Sequence, residues 1–320
     1  MSQSQALPLR CTNLAEARVA VVGLGLMGGS LALALKARGA CREVIGIPRR
    51  EETLAQAIER GIVDRGATDL SAGVAEADIV VLAMPVRTIL RSLPQIGEVL
   101  KPGSLLIDLG STKGKIAHAM SALPEGIYVC PAHPMCGKET AGLEAADGDL
   151  YIDKNFIVSP LPRTTPPALA LTEQLIRAVG ARPRRMDPRR HDRLVAVGSH
   201  LPYLLALALV GTAEEMANED TLLWDLVASG FRDTSRLAAS DVRMMLDVLM
   251  TNGPAIADAI DRFRERLDVL DHLLRAGDEA ALQRTLEAAA IRRSSAFRSP
   301  TPAHNHVGFP ASRGESAIGS

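Results

Sequence analysis

Gly23, Gly25 and Gly28 stand at the spacing GxGxxG, directly behind the apolar run Val19-Ala20-Val21-Val22 and ahead of a helical stretch that closes at Gly39. A strand, a glycine turn and a helix in that order can cradle a dinucleotide pyrophosphate. Gly23 permits the tight turn, Gly25 lets the backbone approach the phosphates, and Gly28 lets helix and strand pack closely. The amides of Leu26 and Met27, at the helix start, then face the negative charge. The spacing alone also fits an ordinary βα turn; the flanking strand and helix are what favour a nucleotide.

The end of the second strand separates the two nicotinamide cofactors, because an acid there bonds a ribose 2′-hydroxyl and repels a 2′-phosphate. This chain reads Gly46-Ile47-Pro48-Arg49-Arg50. With no acid and two guanidinium groups, Arg49 and Arg50, the sequence favours NADP over NAD. The competing reading is two solvated arginines at a helix start, neutralised by Glu51 and Glu52.

Three segments follow strands and so fall where open α/β sheets bind their ligands. Met84 and Pro85 are placed on the nicotinamide side, or form a simple strand-ending turn. In Asp108-Leu109-Gly110-Ser111-Thr112-Lys113-Gly114, a small hydroxyl, Ser111, stands beside a lysine and can orient a substrate oxygen. Ser111 or Thr112 can equally cap the next helix. In Ala132-His133-Pro134-Met135-Cys136-Gly137-Lys138-Glu139, His133 comes directly after a strand. An imidazole there titrates near working pH and can take an alcohol proton as hydride departs. Cys130, His133 and Cys136 are also spaced C-x2-H-x2-C, but a structural zinc needs four closed ligands, and His118 is the sole further candidate. No metal is expected.

The elements that must hold these residues alternate strand and helix, the pattern of a parallel sheet covered on both faces. Strands are predicted at residues 18–22, 43–47, 79–83, 104–109 and 127–130, with edge strands at 155–159 and 183–186. Helices are predicted at 27–37, 51–60, 87–100 and 115–122. From Arg190 the pattern turns wholly helical. The fold class is therefore α/β: an N-terminal Rossmann doubly wound sheet over 17–187, an all-α C-terminal domain over 188–293, and a tail over 294–320, rich in Ser, Pro, Gly and Ala, expected to be disordered. Residues 194–211 are uncharged and mostly apolar, but Ser199, His200 and Pro202 fall near the middle. Hydrocarbon would leave their polar groups unpaired, so a buried, kinked helix is expected rather than a membrane span.

Composition narrows the partners. With 36 basic and 37 acidic side chains the net charge is −1, which provides no field for nucleic acid or an anionic membrane. The four cysteines include no CxxC pair, and the N-terminus lacks a secretory pattern. A cytoplasmic location is expected.

Four stretches, GLGLMGGS, DLGSTKG, HPMCGKE and HDRLVAVGSHLPY, resemble the prephenate/arogenate (cyclohexadienyl) dehydrogenase family, with the likeness running over residues 18–293. The resemblance implies an NAD(P)-dependent oxidoreductase of tyrosine biosynthesis that oxidises and decarboxylates prephenate or L-arogenate, and a homodimer formed through the C-terminal helical domain. It implies that His133 is the base at the ring C4 hydroxyl and that Ser111 steadies that hydroxyl and the imidazole. Arg236, in Gly230-Phe231-Arg232-Asp233-Thr234-Ser235-Arg236, matches the arginine that binds substrate carboxylate. Arg232 holds a place often taken by lysine, and Asp233 is a partner for these cations. His191 and His200 fall on helices flanking the cleft; the alternatives are a surface position for His191 and a satisfied helix kink for His200. Tyr203 departs from the family, whose SHLPH ends in histidine, and this changes how the substrate side chain is held. Glu139 can pair with the ammonium of arogenate or anchor a loop. Other readings are a 4-amino-4-deoxyprephenate dehydrogenase, a β-hydroxyacid dehydrogenase, whose usual lysine has no counterpart near 195–207, and a non-catalytic cofactor sensor.

Overall fold

The structure, a computed structural model, describes residues 7–297. The described residues pack as two compact units that divide between Asp261 and Arg262. The first contains an eight-stranded sheet in the order β3-β2-β1-β4-β5-β6-β7-β8. Its strands are β1 Arg18–Val22, β2 Glu43–Ile47, β3 Arg65–Gly66, β4 Ile79–Leu82, β5 Leu105–Asp108, β6 Tyr128–Pro134, β7 Asn155–Val158 and β8 Arg182–Arg185. From β3 to β6 all pairings are parallel, β6 and β7 run antiparallel, and β7 pairs parallel with β8.

The central strands are short apolar runs because both faces of the sheet are covered. Val19 and Val21 point into one core with α1 (Leu26–Ala37), α2 (Glu51–Glu59) and α6 (Pro166–Ala178). Ala20 and Val22 point into the other, with α3 (Leu70–Val74), α4 (Val86–Val99) and α5 (Gly114–Ser121). Chain order reverses between β1 and β4, and at that switch point the glycine turn and the Met84-Pro85 segment meet.

Several boundaries differ from expectation. β6 continues through His133 and Pro134, because Ala132, His133 and Pro134 pair with Val158, Ile157 and Phe156 of β7. His133 therefore sits within a strand, not after one. The helix α6 is absent from the sequence reading; it opens on Pro166-Pro167, which look like loop residues but suit a first helical turn, where the missing N–H costs nothing.

Beyond the sheet come α7 (Pro188–Val195), a π turn at Ala196–His200, α8 (Leu201–Glu219), α9 (Leu223–Leu226), α10 (Ser229–Ser235), α11 (Val242–Thr251), α12 (Gly253–Ala276) and α13 (Glu279–Ala296). The expected kink in residues 194–211 is this π turn, with Pro202 in the first turn of α8. The expectation of a buried helix is corrected in part: Leu194, Val197 and Leu207 are exposed along it. Pro188–Glu219 is long and apolar enough to cross a membrane by length and composition, which is weak evidence on its own. Helix α13 runs on to Ala296, so the expected tail cannot begin at 294; its residues from 298 onward lie outside the described residues.

Candidate active site

Steric constraints at the glycine turn accord with a dinucleotide cradle. Gly23 has φ +97°, and a Cβ on it would stand 2.6 Å from the Ala83 carbonyl oxygen. A Cβ on Gly28 would fall 1.9 Å from the carbonyl oxygen of Gly23, so turn and helix touch through this hydrogen atom alone. At Gly25 there is nothing within 4 Å, which leaves open space over the start of α1. Gly25 is also the N-cap of α1 and brings no side-chain cap, so the first amides of that helix remain available to an anion. A fourth glycine, Gly29, was missed by the motif: its Cβ would stand 2.9 Å from Leu143, the contact that seats the 143–151 segment against α1. The buried Tyr151 hydroxyl donates to the Met27 carbonyl at 2.6 Å and fixes the same turn from below. Arg49 and Arg50 follow β2 with exposed side chains and no ion pair among the described residues. Met84 is half-buried, its Cγ 3.0 Å from where a Gly23 Cβ would lie, and Pro85 is the exposed N-cap of α4.

Lys113, the lysine beside Ser111, is fully buried, ion-paired with Asp108, and donates to the Ala132 carbonyl at 2.7 Å. The alternative reading of the segment, that Ser111 or Thr112 caps α5, is corrected. Lys113 occupies the N-cap, and the amides of Lys113 and Gly114 donate instead to the two carboxylate oxygens of Asp192, at 2.7 Å each. Thr112 bonds Thr251 of α11 at 2.8 Å, and half-buried Ser111 makes no hydrogen bond to His133. A second acid repeats the arrangement at α4, where Asp247 of α11 accepts the Arg87 amide at 3.0 Å. Carboxylates from the helical segments thus supply N-caps that Pro85 and Lys113 cannot provide for themselves.

His133 projects from β6 toward this junction. Its Nδ1 lies 2.9 Å from His191 Nε2, and His191 Nδ1 lies 2.9 Å from Asp192 Oδ1. His191 is fully buried, which excludes the alternative of a surface position. Burial pushes the His133 pKa well below the usual imidazole value, and His191, Lys113 and His200 push in the same direction. The ring is therefore neutral near pH 7, as a base must be. Burial acts to raise the Asp192 pKa, but the bonds from His191 and the two amides hold it below the usual carboxylate range. His200 is buried and accepts at Nδ1 from the Asn252 side chain at 3.2 Å, while Asn252 also donates to the Asp192 carbonyl at 2.8 Å. Asp108, Asp192 and Asn252 escaped the sequence reading as site residues; an acid closing a buried strand, at Asp108, was the available signal.

Arg236 is ion-paired with Glu139, in the loop that follows β6. That occupies the carboxylate for which the sequence left two roles open, a partner for a substrate ammonium or a loop anchor. It also replaces Asp233, which is exposed and bonds neither arginine, as the partner of this cation. Arg232 is exposed on α10. Tyr203 is buried against Met245 and Val248, with Leu237, the neighbour of Arg236, packed on the same cluster. Cys130 lies in the sheet core, and among the described residues no three His, Cys, Asp or Glu side chains converge to hold a metal.

Residues 31–184 match the family model of the prephenate dehydrogenase nucleotide-binding domain, and residues 187–288 that of the prephenate dehydrogenase dimerization domain. The prephenate dehydrogenase of Lactococcus lactis is 34% identical over 274 residues, which cover 84% of this chain and 75% of the relative. The chain belongs to the prephenate dehydrogenase family. A solved prephenate dehydrogenase of Aquifex aeolicus, in complex with hydroxyphenyl propionate and NAD+, superposes with a TM-score of 0.82 at 31% identity, covering 88% of this chain and 98% of its own. The arogenate dehydrogenase of Synechocystis gives 0.77 at 31% identity, covering 88% and 100%. The family thus includes relatives named for either substrate, and the fold expected from sequence, a Rossmann domain followed by helices, is the family's own.

Proposed function

We propose that this chain oxidises and decarboxylates a cyclohexadienyl substrate, prephenate or L-arogenate, with NADP preferred to NAD, in tyrosine biosynthesis. The observation that carries the reading is the neutral His133 imidazole, which uses Nδ1 for His191 and leaves Nε2 without a hydrogen-bond partner among the described residues.

In this mechanism His133 Nε2 accepts the proton of the ring C4 hydroxyl as the C4–H hydride departs. A bound nicotinamide supplies the hydride acceptor. Ser111 orients the hydroxyl and Arg236, released from Glu139, binds a substrate carboxylate through its planar fork, with Arg232 beside it. His200 and Tyr203 border the substrate. The ring C–CO2 bond then breaks, its electron pair completes the aromatic ring, and carbon dioxide leaves. His133 returns its proton to the phenolate oxygen, so the proton count closes on one residue.

Arg49 and Arg50, exposed beside the end of β2 and unpaired among the described residues, support the preference for a 2′-phosphate. Exposed apolar side chains on the helical segments, among them Leu226 at 77% and Val242 at 71%, support a homodimer that covers them. The reading brings a cytoplasmic location with it.

The test is absorbance of reduced cofactor on adding prephenate or L-arogenate, with NADP+ and NAD+ in parallel. Turnover lost in His133→Asn is expected. No reduction with either substrate would overturn the activity; faster turnover with NAD+ would overturn the cofactor preference alone.

A further inference from the structure

Asp192, His191 and His133 form one hydrogen-bonded series that runs from α7 into the end of β6. The direction of each bond follows from its first member. An ionised carboxylate only accepts, so His191 Nδ1 carries a hydrogen and His191 Nε2 is left as an acceptor. His133 Nδ1 must then be the donor, and its Nε2 holds a bare lone pair. The Nδ1–H form is imposed twice in succession by one carboxylate. That carboxylate is itself immobilised, because the amides of Lys113 and Gly114 bind both its oxygens.

The charges around His133 give the series a second consequence. Positive charge on His191 itself, on Lys113 of the β5 to α5 segment or on His200 of the π turn disfavours positive charge on His133, so His191 serves it only as a neutral acceptor. Asp108 is consumed by Lys113. Asp192, acting through His191, is the anion in line with the imidazole at the moment it becomes an imidazolium.

We propose that His191 and Asp192 are positioning residues of the reaction: they hold His133 in the Nδ1–H tautomer with Nε2 free and stabilise the imidazolium formed when Nε2 takes the hydroxyl proton. The proposal rests on the reading of His133 as the base. It assigns His191 a task that packing alone would not require.

The test joins a spectroscopic and a kinetic readout on the full chain. Imidazole 15N spectra near pH 7 are expected to show His133 and His191 both as Nδ1–H tautomers. His191→Leu is expected to lower kcat by about 10²-fold while KM for the substrate changes less than about threefold. His191→Gln, whose amide oxygen can accept where Nε2 did, should recover at least about tenfold of that loss. An Nε2–H tautomer at His133, a Leu variant within about threefold of the parent kcat, or a Gln variant no better than Leu would each overturn the proposal. If neither prephenate nor L-arogenate is turned over, the spectra still decide the tautomers, so failure of the activity and failure of the relay are told apart.

Discussion

Lys113 and Asp108 face each other as a fully buried ion pair directly beneath the peptide that precedes His133: the lysine donates to the Ala132 carbonyl at 2.7 Å, and Asp108 accepts the Ala132 amide at 3.2 Å. Burial drives the Asp108 pKa up and the Lys113 pKa down, so each depends on the other to stay charged. Removing one partner strands the other. Lys113→Met is expected to cost about 3–5 kcal/mol in urea unfolding, and adding Asp108→Asn should recover much of it, because an uncompensated buried charge is worse than none. A double variant no more stable than the single one would show that the pair is not the source of the loss.

The buried His200 makes stability depend on pH. Its pKa is pushed from 6.5 to about 4 by burial, reinforced by His191 and opposed by Asp192. The unfolded chain therefore binds a proton at this residue below about pH 6.5 that the folded chain refuses until about pH 4. Stability from this group is complete above 6.5 and falls as pH drops through the window to 4, with a ceiling of about 3 kcal/mol. His200→Gln should flatten the unfolding free energy against pH between those limits relative to the parent. Parallel curves for the two proteins would sink the assignment.

The centre of the fold was legible for a physical reason. Strands covered on both faces have no polar alternation to disguise them, so Ile79–Leu82 and the residues around Leu105–Asp108 read as unbroken apolar runs, and the glycine spacing fell between such a run and a helix. What escaped was set by distant partners. The end of β6 depends on β7, which no local pattern at His133 encodes. His191 and Asp192 are neighbours in the sequence, yet their roles come from His133, 58 residues away, and Lys113, 79 residues away. The interior place of Lys113 was hidden for the converse reason: nothing in a glycine-rich loop marks a lysine as buried, and only the Asp108 carboxylate at the end of a buried strand makes it an interior residue.

Arg236 and Glu139 pair in the open, with side chains 57% and 74% exposed, so solvent screens them and the pair adds little to stability. Glu139→Gln should leave the unfolding midpoint nearly unchanged. Arg236→Lys keeps the charge but loses the fork, and KM for the substrate is expected to rise about 10- to 100-fold with a smaller effect on kcat. An unchanged KM would remove Arg236 from substrate binding. Comparing prephenate with L-arogenate in Glu139→Gln addresses selectivity separately: a shift away from L-arogenate is expected if the released carboxylate meets its ammonium, and an unchanged ratio excludes that contact.

Gly25 and Gly28 are three residues apart in one motif, and the space around them predicts opposite failures. A methyl group on Gly28 would sit 1.9 Å from the Gly23 carbonyl oxygen, which is backbone and cannot step aside without opening the turn. Gly28→Ala is therefore expected to lower the unfolding midpoint sharply and to lose cofactor binding as part of the same collapse. A methyl group on Gly25 meets nothing within 4 Å, and this residue is not in the left-handed region, so the fold should accept alanine there. The methyl group would instead occupy the space through which a pyrophosphate approaches the first amides of α1. Gly25→Ala should thus unfold like the parent yet bind NADP+ at least about tenfold more weakly, the loss expected when a charge-assisted contact to the phosphate is obstructed. Calorimetric titration alongside urea unfolding of both variants separates the two effects. Parent-like NADP+ affinity in Gly25→Ala would mean that the phosphates do not pass over this residue, and the cradle would have to be sought elsewhere along the carboxyl ends of β1 and β4.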